Sequence, residues 1–320
     1  MNQNGWIKYF DYLYITRPML FFPGWNTLIA GYLVARGEVQ VHRLILSGEF
    51  SWNLWVGDLV FMTLIFATAI GGSFILNQLQ DVESDRKNSK LFLICKNYVS
   101  SKAAFTESIL LIAASLVLSF LANRQAFYLI ALGTISGYFY NYPPFQYKNR
   151  PLPGLLLNAL VGWIAFGLGW VLVLGLNTGF LLRSLPYLFL NTGLYLLTTI
   201  PDAAGDRQAK KITFCVRYGA DATIWVAVGF YLLSLLSAIF LYDAFIFIIN
   251  ILTFFWIVQL IRKRNSSAVL KVVKMAIFFF SVAICFKFPL YFLLMVFLFY
   301  LTRFYYRKRF RFDYPNFRGE

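Results

Sequence analysis

Uninterrupted apolar runs recur from one end of this chain to the other, and no other feature narrows its fold so far. A helix needs roughly 20 residues, at ~1.5 Å each, to cross a hydrocarbon layer of ~30 Å. Residues 59–76 hold eighteen positions without a charge, residues 222–242 hold twenty-one and residues 151–182 hold thirty-two. A membrane barrel would alternate apolar and polar positions in segments of about ten. These runs are continuously apolar, so the expected fold is all-α, a polytopic bundle of membrane helices. Composition agrees: 59% of the 320 residues are hydrophobic, 20% are aromatic and only 13% are charged, which excludes a water-soluble or disordered chain.

The pattern predicts crossings at about residues 18–35, 59–77, 108–122 and 125–140. A fifth starts at Pro151, and others cover 184–200, 222–242 and 244–261. Pro143 and Pro144 should end the fourth, because proline lacks the N–H that continues the ladder and pushes its predecessor out of the helical region. Residues 272–302 make either one helix that is too long or two rather short ones divided near Lys287, Phe288 and Pro289. The whole chain, 1–320, reads as one transmembrane domain.

With 29 Lys and Arg against 14 Asp and Glu the net charge is +15, and the distribution of that charge sets orientation. The loops after the even-numbered crossings are basic, with residues such as Lys96, Lys148, Arg150, Lys211 and Arg262, whereas the odd loops hold few: Arg36, Arg43, Arg124 and Arg183. The even loops and the N-terminus are therefore expected on the cytoplasmic side of the cytoplasmic membrane, near anionic lipid; nucleic acid is not an expected partner. The basic tail, from Arg303 to Arg318, belongs on the same side. That requires an even number of crossings, so the expectation is nine helices plus a short tenth or re-entrant one. Cys95, Cys215 and Cys285 have no metal-ligand spacing, and His42 is the only histidine, which argues against a disulfide framework, a zinc site and a bis-histidine haem.

Acidic residues are scarce, so their placement is informative. Five of the fourteen fall in two clusters, Asp81, Glu83 and Asp85 after Asn77, and Asp202 and Asp206, each at the end of an even-numbered crossing. The first aspartates of the two clusters lie 121 residues apart, with Arg86 following the one and Arg207 the other, in the manner of an internal repeat. Carboxylates at i and i+4 share a helical face and repel unless a cation lies between them. Two such pairs facing each other make a hard-oxygen site suited to Mg²⁺, which keeps waters and bridges to phosphates. The neighbouring Arg86, Lys87, Lys90, Arg207, Lys210 and Lys211 suit a diphosphate better than a simple cation pathway.

These residues resemble the UbiA superfamily of intramembrane prenyltransferases. Asn77, Asp81 and Asp85 match its first motif, and Asp202 and Asp206 its second, with Thr213 matching a following threonine. The segment from Tyr140 and Tyr142 to Lys148 resembles the family's aromatic and lysine segment, and Arg17-Pro18 an arginine-proline pair at the start of the first helix. Gln78, Thr199 and Lys210 depart from the frequent pattern, Lys210 standing where glycine is common. The tail helix lies outside the nine-helix family pattern.

The resemblance implies transfer of an isoprenyl group from an allylic prenyl diphosphate to an aromatic or other lipid-soluble acceptor, as in quinone, tocopherol or pigment biosynthesis. It implies Mg²⁺ held by Asp81, Asp85, Asp202, Asp206 and Asn77. Tyr140, Tyr142 and Lys148 would assist at the reacting centre, and Arg17 and the basic residues would hold substrate. Trp163, Trp170, Tyr195 and Phe74 are candidates to line the prenyl tunnel, although lipid-facing or packing roles are the commoner fate of such aromatics. No protein partner is implied. The other readings are a transporter, which would carry acids near the middle of its crossings, and within the enzyme class a haem-farnesylating or phospholipid-ether prenyltransferase.

Overall fold

The computed structural model describes residues 5–39, 57–87 and 92–315. His42, Arg43 and Lys90 lie outside the described residues, as do the side chains of Arg86 and Lys87. Among the described residues all regular structure is helical, as the continuous apolar runs require. The long helices are α1 (Phe21–Ala35), α2 (Gly57–Lys87), α3 (Ser101–Ala122), α4 (Arg124–Asn141), α5 (Pro151–Trp170), α6 (Leu185–Gln208), α7 (Ala220–Phe240), α8 (Ala244–Lys263), α9 (Ser266–Lys287) and α10 (Pro289–Phe310). Among the described residues eight stretches are long and apolar enough to cross a membrane; α1, at 15 residues, and α4, which begins at Arg124, are shorter or more polar. The protein is a multi-pass membrane bundle.

Chain punctuation follows the residues that break helices. The Asn123 side chain separates α3 from α4 by accepting the Gln125 and Ala126 amides at 2.8 and 3.0 Å. Helix α4 stops at Asn141, with Tyr142 extended ahead of Pro143, as the diproline predicts. The break near Lys287 is a single residue, Phe288. The expectation of a short tenth helix needs correction: α9 starts at Ser266, before the apolar run, and α10 continues through the basic residues to Phe310, so each has 22 residues. Apolar length alone underestimated both, because lysines and arginines extend a helix into the interface without ending it.

In a membrane, helix association depends on close packing and polar contacts, since lipid tails are as apolar as leucine. Helices α1 and α5 cross backbone to backbone at two glycines. A Cβ on Gly169 would fall inside the Leu28 carbonyl oxygen, and one on Gly31 inside that of Phe166. Gly169→Ala is therefore expected to destabilise the bundle by about 3 kcal/mol, seen as a lower thermal midpoint in detergent. Gly229→Ala, where a Cβ meets nothing within 4 Å, should leave it unchanged. Buried amides tie further helices together: Asn26 accepts from the Tyr291 hydroxyl and donates to the Ser281 hydroxyl, both at 2.8 Å, linking α1, α9 and α10.

The bundle has two polar ends. One carries Glu38 with Lys287 at 3.6 Å, and Asp243, which accepts from the Tyr187 hydroxyl at 3.0 Å. The other carries the ends of α2 and α6. Helix α2, at 31 residues, is about 46 Å long at ~1.5 Å per residue, so its last turns project beyond a ~30 Å hydrocarbon layer. Those turns bear Asp81 and Asp85, and the last turns of α6 bear Asp202 and Asp206.

Candidate active site

The two aspartate motifs end helices that are distant in sequence, and three cations gather at them. Asp81 Oδ1 accepts from Lys148 Nζ and from Lys211 Nζ, each at 2.8 Å, with little of the three side chains exposed. Lys148 comes from the turn between α4 and α5, and Lys211 follows the second motif directly. Burial pulls the Lys148 ammonium below its ordinary pKa, Asp81 and Asp85 push it back up, and Lys211 works against them. The Lys148 ammonium also reaches Asn77 Oδ1 at 3.5 Å and Asn141 Oδ1 at 3.4 Å.

Arg17 is the third cation. It sits just before α1 in a left-handed conformation (φ 60°) that is costly for a non-glycine residue, and its guanidinium lies 5.8 Å over the Phe74 ring. Burial lowers its pKa, while Tyr314, Asp85, Tyr306 and Asp202 raise it. One guanidinium thus feels a carboxylate from each motif.

Beside these charges opens a cavity of about 470 Å³, lined at its polar end by Arg17, Asn77 and Asn141. Asn77, Ser73, Ile70 and Phe66 step inward along α2, a span of about 16 Å at ~1.5 Å per residue. Tyr140 and Tyr195 face each other in the wall, and Tyr140 also meets the Asn158 amide. Apolar groups dominate further in, interrupted by Asn191, which donates to the Thr27 hydroxyl at 3.1 Å.

The structure sorts the candidates named from sequence. Asn77, Asp81, Tyr140, Lys148, Lys211 and Arg17 come together, with Asp85 and Asp202 within range of Arg17 and Asp206 within range of Tyr195. Tyr142 does not line the cavity; it stacks on Tyr138 at 5.4 Å and meets Gln80. Burial raises its pKa and the Gln80 contact lowers it. Arg207 and Lys210 are exposed. Lys210 is left-handed (φ 58°), a conformation that glycine adopts without strain. Phe74 and Tyr195 line the cavity, whereas Trp163 and Trp170 do not; their indoles donate to Ser184 Oγ and the Gly175 carbonyl instead.

Sequence reading missed Asn141, Asn158 and Asn191, although a neutral amide inside an apolar run is itself a signal, being costly in lipid unless it has work there. Gln78, noted from sequence only as a departure from the frequent pattern, donates its amide to the Ile15 carbonyl at 2.8 Å and so anchors the segment before Arg17.

Among the described residues no three Asp, Glu, His or Cys side chains gather as a ready-made metal cluster. Asp81 is instead balanced by two ammonium groups. The donors still fit a hard cation: they are carboxylates and amide oxygens on two neighbouring helix ends, with positive groups already drawn to them. The Thr213 hydroxyl, seven positions after Asp206, is buried without a hydrogen-bond partner among the described residues.

Comparison with known proteins agrees with this architecture. Residues 44–283 match the model of the UbiA prenyltransferase family, and the chain belongs to that family. It is 30% identical over 208 residues to the chloroplastic 2-acyl-4-prenylphloroglucinol 6-prenyltransferase of Humulus lupulus, covering 59% of this chain and 49% of that protein. It is 28% identical over 192 residues to the digeranylgeranylglyceryl phosphate synthase of Methanococcus aeolicus, covering 60% of this chain and 66% of that one. The matched part thus spans about half of the plant relative and just under two thirds of the archaeal one. Among solved structures, a UbiA homologue from Archaeoglobus fulgidus bound to GPP and Mg²⁺ shares the fold, with a TM-score of 0.67 at 18% identity over 87% of this chain and 99% of that one.

Proposed function

We propose that this protein is a single-domain, Mg²⁺-dependent prenyltransferase that moves an isoprenyl group from an allylic prenyl diphosphate to an aromatic or related lipid-soluble acceptor. What carries the reading is the meeting of Arg17 with both aspartate motifs, and of Lys148 and Lys211 with Asp81, at the polar end of an apolar cavity. The donor's diphosphate lies at that end, which faces the cytoplasm by the loop-charge asymmetry, and its hydrocarbon lies along α2. The hop relative is named for prenyl transfer to a phloroglucinol and the Archaeoglobus homologue holds GPP with Mg²⁺, and both support the same chemistry.

Asp81, Asp85, Asp202 and Asp206, with Asn77, would hold Mg²⁺, which when bound neutralises charge on the leaving diphosphate. Arg17, Lys148 and Lys211 add positive charge where the departing oxygens become more negative, and the effect grows as the bond breaks. The allylic C–O bond cleaves, diphosphate leaves with the electron pair, and the ring of Tyr140 offers its face to the allylic cation. An electron-rich acceptor carbon or oxygen closes the new bond and loses a proton. Apolar burial adds little for a substrate already dissolved in lipid, so recognition rests on the head groups.

Incubating membranes with radiolabelled prenyl diphosphates of several lengths and a panel of acceptors, phenolic and glyceryl phosphate, tests the reading. Transfer to a phenolic acceptor supports it, transfer only to glyceryl phosphate replaces the acceptor class, and no transfer with any pair contradicts the activity. Lys148→Ala is expected to lower turnover about tenfold, the value of one hydrogen bond to a charged group, with Lys148→Arg recovering part of it in the same assay.

A further inference from the structure

Helix α10 and the tail behind it lie beyond the family match, which ends at residue 283, yet they come within range of Arg17, which lines the polar end of the cavity. Asp11, buried on the short helix Phe10–Ile15, accepts the Arg309 guanidinium at two oxygens, at 3.1 Å from Nε and 2.9 Å from Nη2, and the Tyr305 hydroxyl at 2.7 Å. Tyr14, three residues before Arg17, stacks on Tyr305 at 3.8 Å between ring centroids and meets Tyr306 edge-on at 5.6 Å. After α10 the chain turns at Arg311, and Tyr314 packs edge-on against Tyr306 at 5.1 Å. Both phenols are in electrostatic range of Arg17. From the other side Gln78, on α2 between Asn77 and Asp81, holds the Ile15 carbonyl.

The segment bearing Arg17 is therefore gripped between the first aspartate motif and the C-terminal helix. A buried, bidentate charge pair is a weak source of stability because desolvation offsets its attraction, but it is demanding about geometry. Such a pair, joining residues 298 positions apart, is suited to fixing a register. What it fixes is a strained, left-handed arginine that faces both motifs.

We propose that the C-terminal helix and tail act as a clamp that positions Arg17 for the diphosphate, with Asp11, Arg309 and Tyr314 as positioning residues. The clamp rests on the prenyl diphosphate reading given above. It makes α10 a part of the binding machinery rather than an added membrane anchor.

The test uses the full chain in detergent or nanodiscs with two readouts. Steady-state kinetics on Tyr314→Ala and Asp11→Asn should show kcat/KM for prenyl diphosphate lowered about tenfold, with part of the loss in kcat and KM for acceptor unchanged. In an Arg17→Ala background neither substitution should add to the loss, because both act through the same guanidinium. Asp11→Glu should recover part of the effect. Hydrogen exchange of the backbone amides of residues 10–17, read without any substrate, should quicken in both variants. Equal, multiplying losses in the two backgrounds would overturn the clamp, as would exchange at residues 10–17 that stays at the wild-type rate. If Asp11→Asn does not fold, Tyr314→Ala decides alone, since it leaves the buried pair intact. A wild-type chain that turns over no prenyl diphosphate would sink the proposed activity, and the exchange readout would still judge the clamp.

Discussion

Asp81→Asn and Asp202→Asn are each expected to abolish prenyl transfer, with kcat falling at least about a thousandfold, while both variants still insert and remain folded. The magnitude follows from the electrostatics of the leaving group. A cation held against a departing diphosphate stabilises the transition state by several kcal/mol, and about 4 kcal/mol is a factor of a thousand in rate. Asparagine keeps the shape and one oxygen but removes the charge that holds the cation. In Asp81→Asn it also leaves the Lys148 and Lys211 ammonium groups, both 2.8 Å from the same oxygen, without their shared counter-charge. Two lysines then repel across a site that also has to accept metal. Asp221→Asn is the control, because that side chain is largely exposed and pairs at 3.4 Å with the Arg264 guanidinium, away from both motifs in sequence; radiolabel transfer and a melting curve on each variant separate lost chemistry from lost fold. Full activity in both motif variants would remove the metal assignment.

Removing divalent metal is the second large effect. In EDTA, turnover is expected to fall to background and to return with excess Mg²⁺, because Arg17, Lys148 and Lys211 together do not neutralise both the diphosphate and four nearby carboxylates. Ca²⁺ should restore less, since it prefers more ligands and a looser shell than two aspartate pairs and water provide. Turnover unaffected by chelation would point to the cationic side chains alone as the electrophilic element.

How much of this was legible in the sequence differs by scale. The bundle was readable because a continuous apolar run has one stable form in lipid, and the motifs because carboxylates are rare in such a chain. Lys148 was readable as a member of a polar segment between crossings, but its partner was not, since a loop lysine has many carboxylates within its reach on paper. Asp11 and Arg309 were invisible for a related reason. Each looks like an ordinary interfacial charge, and only the fold brings together residues separated by nearly the whole chain. Tyr140 and Tyr142 have equal standing in sequence; the helix ends between them at Asn141, which turns one into the cavity and the other toward Gln80. The α1–α5 crossing left a trace, Gly31 and Gly169, but small residues are common in membrane helices and nothing local says which pair meets. Trp163 and Trp170 followed the base expectation for aromatics and packed.

The central claim is that carboxylates from both halves of the chain share cations over one diphosphate. Calorimetric titration of an unreactive prenyl thiodiphosphate into wild type, Asp81→Asn and Asp202→Asn, each with Mg²⁺ and with EDTA, tests it most directly. The account predicts binding in wild type with Mg²⁺ and its loss in EDTA and in either variant. Mg²⁺-dependent binding that survives in one variant at wild-type affinity would show that a single motif suffices, and would contradict it.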